Sequence, residues 1–300
     1  MTQLLNALPG ALAQGLIWGV MAIGVYITYK VLDIADLTVD GSICTGAAVC
    51  TMLLLGGQSP WLALLCAVLA GVLAGAVTGL LHVGLGIPPI LAGILTQMVL
   101  WSVNLKLLGK ANQALPARTT PVLLSQMDVG GALPVLLGFC VVLVALLVLF
   151  FGTELGCALR ATGCNPVMSR AQGVNTGLMK IIGLALSNGV VALSGALLCQ
   201  YQGYTDVNMG RGAVVIGLAA VVIGQAVLGR RGGQLGGVIL GAVIYYIVYQ
   251  VIIFAGFDTD LLKMFSAVVV AVFLGAPHVK AQLKAHSRSK KGDSGHAENE

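Results

Sequence analysis

Apolar blocks about twenty residues long follow one another through most of this chain, and few folds accommodate that spacing. Each block is as long as a helix needs to be to cross a hydrocarbon layer, where every backbone polar group must find its partner within the segment. Charge is correspondingly scarce: 9% of the 300 residues are Asp, Glu, Lys or Arg, against 58% hydrophobic, with a mean hydropathy of +0.96. An ordinary soluble domain is excluded. The expected fold is an all-α polytopic membrane protein with about nine transmembrane helices, some of them broken. The 41 glycines suit helices that approach closely in lipid.

The predicted spans cover residues 15–29, 37–55, 61–83, 90–108, 132–151, 181–198, 213–228, 235–254 and 261–274. Residues 1–277 form the membrane domain, and 278–300 a polar tail expected to be disordered. Gly71, Gly75 and Gly79, at four-residue spacing, give the third span a packing seam. The fourth span carries Thr96, Gln97, Ser102, Asn104 and Lys106, a polar set suited to facing a cavity, with Lys106 close enough to the end to snorkel. Residues 109–131 read as an external loop and residues 153–180 as two short helices joined by a turn at Pro166. That polar interruption is longer than a connection requires, and either a docking surface for a cytoplasmic partner or a pair of amphipathic connectors accounts for it.

Orientation follows from the basic residues. With the C-terminus in the cytoplasm, Lys30, Arg160, Arg170, Lys180, Arg230, Arg231 and five tail residues lie inside, eleven against five outside. The net charge of +5 owes much to that tail and does not point to nucleic acid. The first basic residue is Lys30, so the first apolar block is expected to be retained rather than cleaved.

Asp33, Asp36 and Asp40 are the only acids before Asp128. The latter two sit in Ala35-Asp36-Leu37-Thr38-Val39-Asp40-Gly41-Ser42, at the start of the second span. Ionisable groups at membrane depth are costly and usually face a bundle interior or water. Asp36, Thr38, Asp40 and Ser42 are therefore candidates for a translocation pathway, although carboxylates at helix N-termini also serve as caps. Sliding the chain by 170 residues aligns residues 15–24 with 185–194, with Leu16/Leu186, Gly19/Gly189, Val20/Val190 and Ala22/Ala192 identical. The same offset sets Asp36 opposite Asp206 and adds Asp206 and Asn208 to the pathway candidates. Five spans separate corresponding points, so the second copy runs inverted, a recurrent transporter architecture.

Catalysis finds no foothold. No G-x-x-x-x-G-K-[ST], HExxH or G-x-S-x-G occurs, so the chain has no ATPase site of its own. The four histidines do not cluster with the seven cysteines, no metal constellation is visible, and the cysteines read as small buried packing residues. The glycine-rich stretch around Arg230 and Arg231 reads as a tight cytoplasmic turn.

Gly156-Cys157-Ala158-Leu159-Arg160-Ala161-Thr162-Gly163-Cys164-Asn165-Pro166, followed by Ala171-Gln172-Gly173-Val174-Asn175, resembles the cytoplasmic coupling segment of ABC-importer permeases of the branched-chain amino acid and ribose type. The segment from Asp36 to Ser42 is similar to a motif of that family's sugar branch with Asp40 inserted. With Leu32-Asp33-Ile34-Ala35 before it, it looks closer to the branch associated with aromatic amino acid uptake. Residues 219–224 and 232–237 also fit the family's second half. The resemblance spans about residues 11–277. It implies a plasma-membrane type II importer permease, a homodimer, driven by a separate cytoplasmic ABC ATPase that binds the ATP and fed by an extracytoplasmic binding protein. Arg160, Ala161, Thr162, Gly163, Asn165, Pro166 and Gly173 would engage that ATPase. The residues alone leave two rivals open: an ion-coupled secondary transporter in which Asp36 and Asp40 bind H⁺ or Na⁺, and a membrane scaffold that transports nothing.

Overall fold

The structure, a computed structural model, describes residues 2–116, 120–228 and 234–254, with Val268 and Ala271 beyond them. The chain divides into a compact unit, Met1–Val251, and a second, Ile252–Glu300. The ninth predicted span, the polar tail, and Arg118, Arg230 and Arg231 lie outside the described residues.

The described chain is mostly helical. Among the described residues six helices are long and apolar enough to cross a membrane, and two shorter apolar helices accompany them. In order these are α1 (Thr2–Tyr26, continued by a π-helical turn, Ile27–Val31), the shorter α2 (Val39–Leu55), α3 (Pro60–Gly84), α4 (Pro89–Leu108) and α5 (Val129–Gly152). Two small helices follow, α6 (Glu154–Cys164) and α7 (Pro166–Ala171), then α8 (Thr176–Gln202), the shorter α9 (Ala213–Leu228) and α10 (Gln234–Phe254).

Local chemistry sets the boundaries. Ser59 Oγ accepts from the Leu62 N–H at 3.4 Å to open α3, with Pro60 in the first turn, where its missing N–H costs nothing. Asp128 caps α5 through the Gly131 N–H at 3.0 Å, and Asn175 caps α8 through the Leu178 N–H at 3.1 Å. At the far end of α8, Gly203 takes the left-handed conformation (φ +76°) and returns its N–H to the Cys199 carbonyl, a common helix stop.

Helix α8 is the axis of the bundle and packs on α1, α2 and α3. The predicted seam on α3 meets it along its length: Gly71 lies against Asn188 and Ala192, Gly75 against Leu184 and Ala185, and Gly79 against Ile181. Helix α5 behaves oppositely, with Leu137, Val141, Val142, Leu146, Val148 and Leu149 exposed, as a lipid-facing helix requires. Cys44, Cys50, Cys140 and Cys199 are buried as expected of packing residues, but Cys157 and Cys164 are exposed on α6, which is amphipathic and leaves one face in solvent.

The loop at 109–131, expected to be irregular, is not wholly so. Its segment β1 (Asn112–Ala114) pairs antiparallel with β2 (Tyr204–Asp206), Asn112 opposite Asp206 and Ala114 opposite Tyr204. The expected all-helical chain thus carries one short ribbon. Each strand follows the end of a long helix, and pairing satisfies the backbone groups of the two extended segments themselves.

Candidate translocation site

The chain leaves α1 through the π turn and then runs without helix from Leu32 to Thr38 before α2 begins. It doubles back into the bundle here, and Asp36 ends only 5% exposed. A carboxylate at that depth needs partners. Asp36 Oδ1 accepts from the Thr38 N–H at 2.9 Å, and Oδ2 accepts from Asn188 Nδ2 of α8 at 2.7 Å. Ser42 Oγ donates to Asn188 Oδ1 at 2.6 Å, and Asn188 also donates to the Leu184 carbonyl at 2.9 Å. Every polar atom of Asn188 is therefore used. Beside this cluster the hydroxyls of Thr38, Thr78 and Thr96 form a chain with spacings of 2.8 and 3.0 Å. Three predicted pathway residues, Asp36, Thr38 and Ser42, thus belong to one closed polar network that ties the break to α3, α4 and α8.

Asp40, four residues on, is placed differently. It stands in the first turn of α2, and its carboxylate reaches across to the start of α9. Oδ2 accepts from the Gly212 N–H and Oδ1 from the Val214 N–H, both at 3.0 Å. A single carboxylate therefore lies at the N-termini of two short helices and complements the positive end of each dipole. Gly210 permits this approach, because it lies directly against the Asp40 carbonyl with no room for a Cβ. Asp40→Ala is expected to lower the unfolding free energy by about 1–2 kcal/mol, read as a fall in the melting temperature of the purified protein. Asp40→Asn, which keeps an acceptor, should lose less.

Beside Asp40 opens a cavity of about 440 Å³ lined by Asp40, Gly41, Cys44, Gln97, Met98, Trp101, Ser102, Asn104, Val207 and Arg211. Gln97, Ser102 and Asn104 of the polar set on α4 face it. Thr96 instead joins the threonine chain, and Lys106 is exposed outside the lining. Trp101 and Arg211 escaped the sequence reading. Arg211 follows the Asp206 to Asn208 turn that was singled out, so its neighbourhood was the available signal. Asp206 and Asn208 themselves stand at the ribbon, where Asp206 Oδ1 accepts from the Asn208 N–H at 2.6 Å, and neither lines the cavity.

At the opposite end of the bundle lies the other predicted set. Thr153 caps α6 through the Gly156 N–H at 3.3 Å, and Asn165 caps α7 by accepting from the Val167 and Met168 N–H groups at 3.1 and 3.0 Å. Gly173 turns the chain at φ +87°, a conformation that a side chain resists. Arg160 donates to the Phe151 carbonyl at 2.8 Å and lies 6.0 Å from that ring's centroid, pinning α6 to the end of α5. Thr162 is buried on α6's packed side, whereas Ala161 next to it is exposed. Gly163 is in backbone contact with Val31, the last residue of the π turn, and Gly183 of α8 rests on the Leu32 side chain. The two-helix segment is thus in contact with the start of the very break that carries Asp36. Val167 and Met168 at its tip are 79% and 58% exposed.

Residues 8–276 match the family described as branched-chain amino acid transport system / permease component. The tyrosine transport system permease protein of Clostridioides difficile is 38% identical over 285 residues, 93% of this chain and 94% of that protein. An uncharacterized protein of Rickettsia prowazekii is 33% identical over 91% of this chain and 98% of its own. The autoinducer 2 import system permease protein LsrC of Escherichia coli is 30% identical over 69% of this chain and 60% of its own. No solved structure matches the chain.

Proposed function

This chain belongs to the branched-chain amino acid transport system permease family, and from that membership we propose that it is the membrane-spanning subunit of an ATP-driven importer for amino acids, aromatic ones included. It is a multi-pass plasma-membrane permease of an ABC-type transport system. We propose further that it works as a homodimer by alternating access, with ATP bound by a separate cytoplasmic ATPase and substrate delivered by an extracytoplasmic binding protein. The observation that carries the reading is the meeting of two broken helices at Asp40 beside a cavity whose mainly apolar wall also holds Asp40 and Arg211. Half-helix ends around a solute path are a recurrent transporter construction.

Nine spans, in two inverted sets of four joined by α5, complete the proposal. Three observations support the repeat. The 170-residue offset maps the pair Ile17 and Ser194 onto Ser187 and Gly24, and both pairs are hydrogen-bonded, Ser194 Oγ to the Ile17 carbonyl at 2.7 Å and Ser187 Oγ to the Gly24 carbonyl at 2.8 Å. Gly75 of α3 lies on Ala185 of α8, and Gly15 of α1 lies on Val243 of α10, the corresponding pairing of helices. Asp36 and Asp206 each turn their own chain by accepting from the N–H two residues ahead.

In this scheme the ATPase grips residues 153–180, with Val167 and Met168 as its apolar contact. Nucleotide-driven motion of α6 passes through Gly163 to Val31 and so to the segment holding Asp36. The C-terminus lies on the same, cytoplasmic side. Asn165→Ala combined with Gly173→Val removes the α7 cap and strains the turn. Substrate-stimulated ATP hydrolysis by the assembled complex is expected to fall severalfold, measured against complex yield by gel filtration. Wild-type stimulation from an assembled variant would remove the coupling assignment. Uptake by the permease alone under an imposed H⁺ or Na⁺ gradient would overturn the ATP-driven reading in favour of an ion-coupled carrier.

A further inference from the structure

We propose that the cavity beside Asp40 is a recognition site within the permease for a zwitterionic amino acid with a large apolar side chain, Arg211 taking its carboxylate and Asp40 its ammonium group. The inference rests on the amino acid reading above and assigns its atoms.

One atom shows that the cavity wall is incomplete by itself. Asn104 is 1% exposed and borders the cavity, and among the described residues its Nδ2 has no hydrogen-bond partner. A buried amide donor left open is destabilising, and a small turn of Asn104 toward an accepting group in the cavity it borders would relieve that cost. Close by, the Asp40 carboxylate accepts one backbone N–H on each oxygen. Each oxygen has a second lone pair, so the group can still accept from a ligand. Arg211 brings a guanidinium, whose forked donors match a carboxylate.

The charges select among ligands. Among the described residues the lining contains one acid, Asp40, and one base, Arg211. A cation would gain Asp40 but face Arg211, and an anion would meet the reverse. A molecule carrying both charges gains both contacts. Trp101, Met98 and Val207 form the apolar part of the wall, and the volume of about 440 Å³ lies within the usual range for small-molecule sites. Trp101 presents a flat indole, a surface on which an aromatic side chain gains an offset-stacking contact. Gln97 and Ser102 supply polar groups that a side-chain hydroxyl can reach.

The test uses the importer assembled from permease, ATPase and binding protein in proteoliposomes, together with the permease and ATPase complex in nanodiscs without the binding protein. Uptake of labelled L-tyrosine is measured in the first and its equilibrium binding in the second. Binding to the nanodisc complex should be saturable and should weaken about tenfold or more in Arg211→Gln, with partial recovery in Arg211→Lys. Asn104→Leu, which removes the open donor without touching a charge, should weaken it as well. Tyramine, lacking the carboxylate, and 3-(4-hydroxyphenyl)propionate, lacking the ammonium, should each compete at least about tenfold less well than L-tyrosine. Transport of L-tyrosine by the complete importer, with no binding to the nanodisc complex or with wild-type binding in both Arg211→Gln and Asn104→Leu, overturns this site and leaves the importer reading standing. Failure of the complete importer to move any amino acid overturns both.

Discussion

Replacing Asp36 with leucine will destabilise the permease by on the order of 3 kcal/mol, the largest single-residue effect expected in the polar network. The carboxylate holds the Thr38 N–H at 2.9 Å and Asn188 Nδ2 at 2.7 Å in a site that water does not reach. Leucine leaves a buried amide and a buried backbone donor without partners, and that penalty exceeds the net worth of the bonds themselves. Asparagine is milder. Asn188 can turn its amide to offer oxygen to the new side chain, while Ser42 changes from donor to acceptor. The bond from Asn188 to the Leu184 carbonyl, 2.9 Å long, is the one sacrificed. The double variant Asp36→Leu, Asn188→Leu removes both partners and should recover much of the loss of the single one. A double-mutant cycle of melting temperatures in detergent checks this. A strictly additive cycle would mean that the two side chains are not coupled.

The second large effect belongs to the seam between α2 and α8. Gly46 lies against the Ala192 backbone, and Gly195 lies against the Ile43 backbone, each without space for a methyl group. A flexible side chain could yield, but a helix backbone moves only with its helix. Gly46→Ala and Gly195→Ala are each expected to cost about 1–3 kcal/mol, and leucine at either position to prevent assembly. Because both substitutions push the same two helices apart, their combination should cost less than the sum. Gly138→Ala on α5 is the control: a Cβ there meets nothing within 4 Å, so alanine should be neutral or stabilising by up to about 1 kcal/mol. Thermal unfolding of the four variants orders them, and a Gly138→Ala loss equal to that of Gly46→Ala would show that close backbone approach is not the cause.

The sequence made the helices legible because an apolar run bounded by glycine or proline has few alternatives. The start of the run at Ala213 was read to the residue, and the two-helix form after Thr153 was legible because Asn165 and Pro166 mark a stop and a start, although residues 176–180 belong to the following helix. Less visible was what depends on which helix lies beside which. The paired strands are three residues each, too short for any periodicity, and their partners are ninety positions apart in the chain. Polarity on α4 pointed to a cavity, yet Thr96 and Gln97, adjacent in sequence, went to different environments, because neighbours fix a helix's rotation about its own axis. The site divided for the same reason. Asp36 and Asp40 look equivalent in the chain, but one faces Asn188 inside the bundle and the other reaches a helix start beyond residue 210. Spacing identifies acids worth attention. Only the tertiary arrangement separates a carboxylate that locks the fold from one that meets the cavity.

The crossing of α1 and α8 has a mechanical consequence. Ser194 holds the Ile17 carbonyl and Ser187 holds the Gly24 carbonyl, two buried rivets seven positions apart on each helix, roughly 10 Å of rise. Two rods riveted at two points cannot pivot about each other, so they move as one beam. In the proposed scheme a push delivered near Val31, where Gly163 touches the π turn that continues α1, would be felt at the far end of α8, beside Gly203 and the paired strands. In the importer proposed above, such a beam would couple the two mouths of the pathway, and the same pair of serine hydroxyls that hold α1 to α8 would keep them from standing open together.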